Sequence, residues 1–196
     1  MQDNKDKIIL DLCGGTGAWS KPYADNGYTV INVTLPDYDV RTYQSPENVY
    51  GILAAPPCTM FSFARTHPKN PRDLREGMEL VVACLNIIWE SQTKLSSDQQ
   101  RKPTLKFWCL ENPKGMLEWF LGKPAFIFHP IDFGENYTKK TFLWGYFNNP
   151  HKFYQMNFDE PIRTISDIVW KNTKTRKDVR SITPPGFTRA FYESNK

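Results

Sequence analysis

The chain has 196 residues, 40% hydrophobic and 14% aromatic, enough to bury one substantial core but too few for two ordinary domains. Its 25 Lys and Arg and 21 Asp and Glu are interspersed, and the net +4 is a mild positive field that does not by itself establish nucleic-acid binding. No basic, apolar leader opens the sequence, residues 81–89 are too short to span a bilayer, and the four cysteines have neither zinc-site nor disulfide-scaffold spacing, so a soluble, cytoplasmic protein without a membrane partner is expected.

The first predicted element is an apolar strand at Ile8-Ile9-Leu10, running into Asp11-Leu12-Cys13-Gly14-Gly15-Thr16-Gly17. A helix is expected from Ser20-Lys21-Pro22, because Ser suits an N-cap and Pro the first turn, and Gly27 ends it. The β-branched run at 28–33 predicts a second strand and residues 50–55 a third, which stops at Pro56-Pro57. Leu74, Met78, Val81, Leu85 and Ile88 then recur at helical spacing. Residues 93–103 read as a surface loop, and 105–110 as a strand stopping at Glu111-Asn112-Pro113. Strands alternating with helices imply a parallel, doubly wound α/β sheet, which strands near 125–132 and 141–147 would extend in antiparallel fashion.

In such a sheet ligands bind beyond the carboxyl ends of the strands, which directs attention to three places. Gly15 and Gly17 would let backbone N–H groups approach a ligand carboxylate, although a tight turn without ligand accounts for them equally well. Cys58 follows two prolines and would be presented by a rigid corner, which suits a nucleophile; an isolated cysteine there would more simply be a small buried hydrophobe. Glu111, directly after an apolar strand, would be partly desolvated. To stay protonated near neutrality it needs about 3–4 kcal/mol of differential environment, and Asn112 beside it could orient the carboxyl.

Taken in order, these pieces resemble the cytosine-C5 DNA methyltransferase family. The segment 11–17 is similar to its first cofactor motif, Pro57-Cys58-Thr59-Met60-Phe61-Ser62 to its Pro-Cys-x-x-Phe-Ser motif, and Glu111-Asn112-Pro113 to its Glu-Asn-Val element. Asp39-Val40-Arg41 resembles its adenine-contacting Asp-Ile element, and the Pro-rich lead into 187–191 its last motif.

The resemblance implies a Rossmann-like sheet of the S-adenosylmethionine-dependent methyltransferase type, mostly parallel with an antiparallel extension, folded as one catalytic domain. It implies a transferase in which Cys58 adds to cytosine C6, Glu111 protonates N3 and Asn112 completes the catalytic set. S-adenosylmethionine is the implied methyl donor, held by Asp11, Cys13, Gly15, Thr16, Gly17, Trp19, Thr34, Asp37, Asp39, Val40 and Pro56. Substrate contacts are expected at Pro57, Ser62, Arg65, Lys139 and Lys140; the two lysines equally suit a solvated strand edge. No metal is expected, since His67, His129 and His151 lack ligand spacing.

The sequence departs from the family pattern in four places. Cys13 stands at the usual aromatic position, Ala18 replaces a glycine, and Thr34 with nearby Asp37 stands where an acid commonly holds the ribose. Only a reduced recognition region, 148–182, occupies the place of a target-recognition domain. Its Trp170, Lys171, Lys174, Arg176, Lys177 and Arg180 could form a phosphate-binding surface or an ordinary solvated loop. The expected partner is DNA, single-stranded or as a duplex with a flipped base, with short recognition or a separate recognition subunit. The alternatives are tRNA or a free cytosine nucleotide with the same chemistry, and a non-catalytic nucleic-acid-binding or cofactor-sensing protein.

Overall fold

Alternation along β1 (Ile8–Leu12) sends Leu10 and Leu12 to one face of a sheet and Ile9 to the other, and all three are fully buried. The structure, a computed structural model, describes residues 4–65, 70–93, 104–153, 163–165 and 182–196. β1 is flanked by β2 (Thr29–Val33) and β3 (Val49–Ala54), and β3 by β4 (Phe107–Pro113), all parallel. Beyond β4 lies β7 (Thr141–Tyr146), antiparallel to both β4 and the outermost strand β5 (Phe126–Phe128). The six-stranded order is β2-β1-β3-β4-β7-β5, with β7 alone reversed.

Helices cover both faces, as the alternating pattern implies. The 20-residue α2 (Leu74–Thr93) buries Val81, Cys84, Ile87 and Ile88 against Leu10, Leu12, Ile52 and Leu110. On the other face α1 (Lys21–Asp25) and the closing helix α4 (Pro185–Asn195) pack Tyr23, Phe187 and Phe191 against Ile9, Leu53, Phe107 and Leu143. A short α3 (Glu118–Leu121) follows β4. The architecture is mixed α/β with a mostly parallel, doubly wound sheet, consistent with a Rossmann-like fold. Among the described residues no helix is long and apolar enough to cross a membrane.

Three local expectations change. β4 does not stop before Glu111-Asn112-Pro113 but runs through them, because β7 continues the pairing: Glu111 lies opposite Leu143, Asn112 opposite Phe142 and Pro113 opposite Thr141. The expected antiparallel extension consists of one reversed strand, since β5 runs the same way as β4. Ser20 stands at the start of α1 without capping it. Its hydroxyl serves Asp11 instead, as described below.

The chain leaves β7 at the amino end of β4, where Tyr146 pairs with Trp108, and returns beside β5. Lys152 donates through Nζ to the Ile127 carbonyl at 3.0 Å and pairs with Asp132 at 2.7 Å, while the Phe153 amide donates to the Asp132 carbonyl at 2.9 Å. A two-stranded parallel pair, β6 (Tyr137–Thr138) with β8 (Arg163–Thr164), continues this return. The remainder of the expected recognition region, including Trp170, Lys171, Lys174, Arg176, Lys177 and Arg180, lies outside the described residues, as does His67.

Candidate active site

The carboxyl ends of β1 to β4 form one rim of the sheet, and the reversal of β7 brings its first residues to the same rim. The glycine turn, Thr34, Cys58, Glu111, Lys139 and Lys140 are thereby gathered along it. A recess of about 250 Å³ bordered by Tyr50, Lys106, Tyr146 and Lys196 lies at the opposite rim and includes no candidate residue.

After β1 the backbone turns through positive φ at Cys13 (58°), Gly15 (54°) and Gly17 (70°). Glycine adopts that region freely and Cys13 does so at a cost, so the turn is locally strained. Under it sits Asp11, with no solvent exposure. Gly14 crosses so close that a Cβ there would lie 2.3 Å from the Asp11 carboxyl carbon. Ser20 Oγ donates to Asp11 Oδ2 at 2.6 Å, but Asp11 Oδ1 is buried without a partner.

Burial therefore dominates, and the Asp11 pKa rises from 3.8 to about 6 even though the Ser20 bonds pull it down. A raised carboxyl contributes stability that is complete below the ordinary pKa and is lost as pH rises through the folded one. Asp11→Asn is accordingly expected to remove a loss of roughly 3 kcal/mol between about pH 4 and pH 6, read as the native-minus-variant difference in urea unfolding. A difference that does not change with pH would contradict this.

The end of β2 meets the turn: the Cys13 amide donates to the Val33 carbonyl at 2.9 Å, and Asn32 Nδ2 to the Gly15 carbonyl at 3.0 Å. Asn32 Oδ1 is left buried and unpartnered, an acceptor beside the turn. Asn32 lies inside an apolar strand, where a lone polar residue is the signal that the sequence offers. Thr34 follows at once, half-buried, and its carbonyl accepts from the Tyr38 amide at 3.0 Å; Asp37 is exposed.

Asp39 is clasped by Arg41, whose Nε lies 2.9 Å from Oδ1, and this pairing lowers the Asp39 pKa to about 2. Val40 is in the core, and so is Trp19, with its ring 5.9 Å from Phe187 and 5.5 Å from Phe191 and its indole N–H unpartnered. Cys13 and Cys84, 71 positions apart, share a hydrogen bond from the Cys84 thiol. That bond favours the Cys13 thiolate and holds its pKa below the ordinary value, against burial and the carboxylates of Asp11 and Asp39.

Pro56-Pro57 present Cys58 at the head of a single 3-10 turn, Cys58–Met60, with Pro57 extended (φ −50°, ψ 123°). The Cys58 carbonyl accepts from the amides of Phe61 at 3.0 Å and Ser62 at 2.8 Å, which closes the turn, and its thiol is half-buried. Arg72 clamps the turn from outside by donating to the carbonyls of Met60 at 2.9 Å and Ser62 at 2.8 Å. Ser62 Oγ accepts from the Ala64 amide at 3.2 Å. Arg65, expected at the substrate, folds back onto Met60 Sδ at 3.3 Å and the Asn70 carbonyl at 2.7 Å. Arg72 is the cation that this local sequence conceals among other charges.

The turn is fastened at two points, to β4 and to the segment that follows it. Asn112, fully buried, donates through Nδ2 to the Pro56 carbonyl at 2.8 Å across 56 positions of sequence, leaving its own Oδ1 unpartnered. No protein-family model and no curated protein matches the chain. Second, Ser62 and Gly115 form an antiparallel bridge, and the Met116 amide donates to the Phe61 carbonyl at 2.9 Å. A Cβ on Gly115 would lie 2.4 Å from the Phe61 carbonyl oxygen. Gly115→Ala is thus expected to destabilise by about 1–3 kcal/mol in denaturant unfolding as the two segments are pushed apart. Native stability in that variant would show that the contact yields at no cost.

Glu111, one residue before Asn112, has its pKa raised by burial, opposed by the positive charge of Lys139. Lys139 lies two residues before the reversed strand, its carbonyl accepting from Thr141 Oγ1 at 3.0 Å. Lys140 is held by the Lys114 amide, which donates to its carbonyl at 2.9 Å, and its ammonium lies 5.8 Å from the Phe142 ring centroid. Among the described residues no group of His, Cys, Asp and Glu could hold a metal ion. The rim thus combines a half-buried thiol on a braced corner, a carboxyl biased toward its neutral form, lysine charge, and a strained glycine turn with spare acceptors.

Proposed function

We propose that the chain is a methyltransferase that modifies cytosine C5 in DNA, with S-adenosylmethionine as donor. The observation that carries this reading is the Asn112–Pro56 hydrogen bond, which fastens the strand bearing Glu111 to the corner bearing Cys58. Asn112 is in this reading a positioning residue. It supports the two groups whose joint presence distinguishes covalent pyrimidine chemistry from simple binding.

The Cys58 thiolate adds to cytosine C6 and forms an S–C bond, while Glu111 gives a proton to N3. The ring electrons move so that C5 becomes nucleophilic. Bound S-adenosylmethionine would supply the electrophilic methyl group that C5 takes up, its S–CH3 bond breaking to leave a neutral thioether. Loss of the C5 proton to a base then expels the Cys58 thiolate, and N3 returns its proton to Glu111. Burial equips Glu111 for this cycle, and nearby Lys139 keeps the raised pKa from drifting further.

The residues fit the donor on one structural ground: the turn around Gly15 carries spare polar atoms. Nothing lies within 4 Å of a Cβ built on Gly15, and Asp11 Oδ1 and Asn32 Oδ1 lack partners. Gly15, Thr16 and Gly17 would face the amino-acid end, Asn32, Thr34 and Asp37 the ribose, and Asp39 the adenine. A duplex substrate must extrude its cytosine at a cost of a few kcal/mol; a single strand avoids most of it. The region 148–182 would supply few contacts for sequence choice, which a separate subunit could supplement.

Tritium transfer from labelled S-adenosylmethionine to duplex DNA, single-stranded DNA, tRNA and dCTP tests the reading. Incorporation into DNA is expected. Transfer confined to tRNA or dCTP would move the same chemistry to that substrate. Cofactor binding without transfer to any of them would replace the enzyme with a sensor.

A further inference from the structure

We propose that Phe63 and Trp119 form a stacking platform, beside the cytosine site, for the unpaired bases of a single-stranded polynucleotide. The identity of the neighbouring base rests on the cytosine-C5 reading; the platform itself rests on geometry and charge. Phe63 is 46% exposed and Trp119 is 66% exposed, and their rings lie 6.1 Å apart at an angle of 56°. Each is carried by one of the two segments that define the site: Phe63 lies five residues after Cys58, and Trp119 is in the helix that follows Glu111-Asn112-Pro113.

Neither ring is loosely placed. Phe120 packs its ring 6.4 Å from the fully buried Phe61, which pins α3 to the Cys58 turn and sets Trp119 next to Phe63. The Ser62–Gly115 bridge and the bond from the Met116 amide to Phe61 brace the same junction. Single exposed aromatics are ordinary on protein surfaces; two brought together from the segments that carry Cys58 and Glu111 form a surface suited to π-faces.

The surrounding charge selects the occupant. Lys114 is exposed next to Gly115 of the bridge to Ser62, Lys140 is exposed and joined to Lys114 through the backbone, Lys139 precedes Lys140, and Lys123 follows α3, against one acid on that helix, Glu118. An aromatic pair whose own segments carry exposed lysines fits bases that stack while their phosphates meet the cations, the recognition mode of single strands. A duplex keeps its base faces stacked internally and cannot use such a platform.

The test is fluorescence anisotropy with labelled 12-nucleotide single strands of DNA and RNA, a matched duplex, and dCMP as competitor. The native protein is expected to bind the single strands more tightly than the duplex or dCMP. Phe63→Ala/Trp119→Ala should weaken the strand by about ten- to a hundredfold and collapse its advantage over dCMP, while Trp119→Phe, which keeps a ring, should retain most of it. Unchanged strand binding in the double variant, or equal binding of duplex and strand by the native protein, would overturn the platform. So would loss of a self-associated state in the double variant with strand binding intact, which would assign the rings to a copy of the chain. Tritium transfer read in parallel separates the two readings: platform-dependent binding without transfer sinks the methyltransferase chemistry and upholds the platform.

Discussion

Cys58→Ala is expected to abolish methyl transfer, by on the order of 10⁴-fold or more, because the Cys58 thiolate is the group that forms the C6 bond in this mechanism. The corner should survive the change. Its closing hydrogen bonds are accepted by the Cys58 carbonyl, and Arg72 and Asn112 hold its neighbours, so none of these contacts needs the thiol. A single-stranded oligonucleotide carrying 5-fluorocytosine should trap the native protein as a denaturation-resistant adduct, since its C5 has no proton to lose, and should leave the variant free. Transfer at the native rate by Cys58→Ala would end the covalent mechanism.

Glu111→Gln should lower kcat/KM by about 10²- to 10⁴-fold and also change the shape of the pH profile. Burial raises the Glu111 pKa, so the neutral, proton-giving form persists above the ordinary carboxylate range and is lost as pH rises through the folded value. Native activity should fall along that limb, and the Gln variant should not show it. The stability sign is the same: a raised carboxyl contributes least at high pH, so at pH 8 the variant should unfold no more easily than the native protein. An enzyme as stable as native yet nearly inactive separates chemistry from folding. Native kcat/KM across the whole pH range would remove Glu111 from the reaction.

Whether a feature could be read in advance depended on how far apart its partners lie in the chain. The glycine turn, the Pro-Pro-Cys corner and the apolar strand leading to Glu111 are each local, and a strand period or a proline announces them. What braces them is not local. Arg72 reaches back to Met60 and Ser62 from a charged stretch that reads as surface, and Gly115 matters because another backbone crosses it. Asn112 reads as a helper for its neighbour Glu111, but its amide is spent on Pro56. Arg65 and Trp19 show the reverse relation: each stands near a motif in the sequence, and its partners in the fold are a nearby loop for one and the core for the other. The extent of β4 depended on β7, thirty residues on, which supplies the pairing that carries Glu111 and Asn112 into the sheet.

The return of the chain beside β5 has a consequence for life in a crowded solution. β5 is the last strand of the sheet, and an open last strand offers its backbone to any extended segment that passes. Lys152 occupies the Ile127 carbonyl, its charge is anchored by Asp132, and the Phe153 amide is tied to the same residue. The route by which the polypeptide comes back beside the sheet therefore also acts as a partial selvedge, covering a backbone acceptor at the middle of the edge strand that a second molecule would otherwise use.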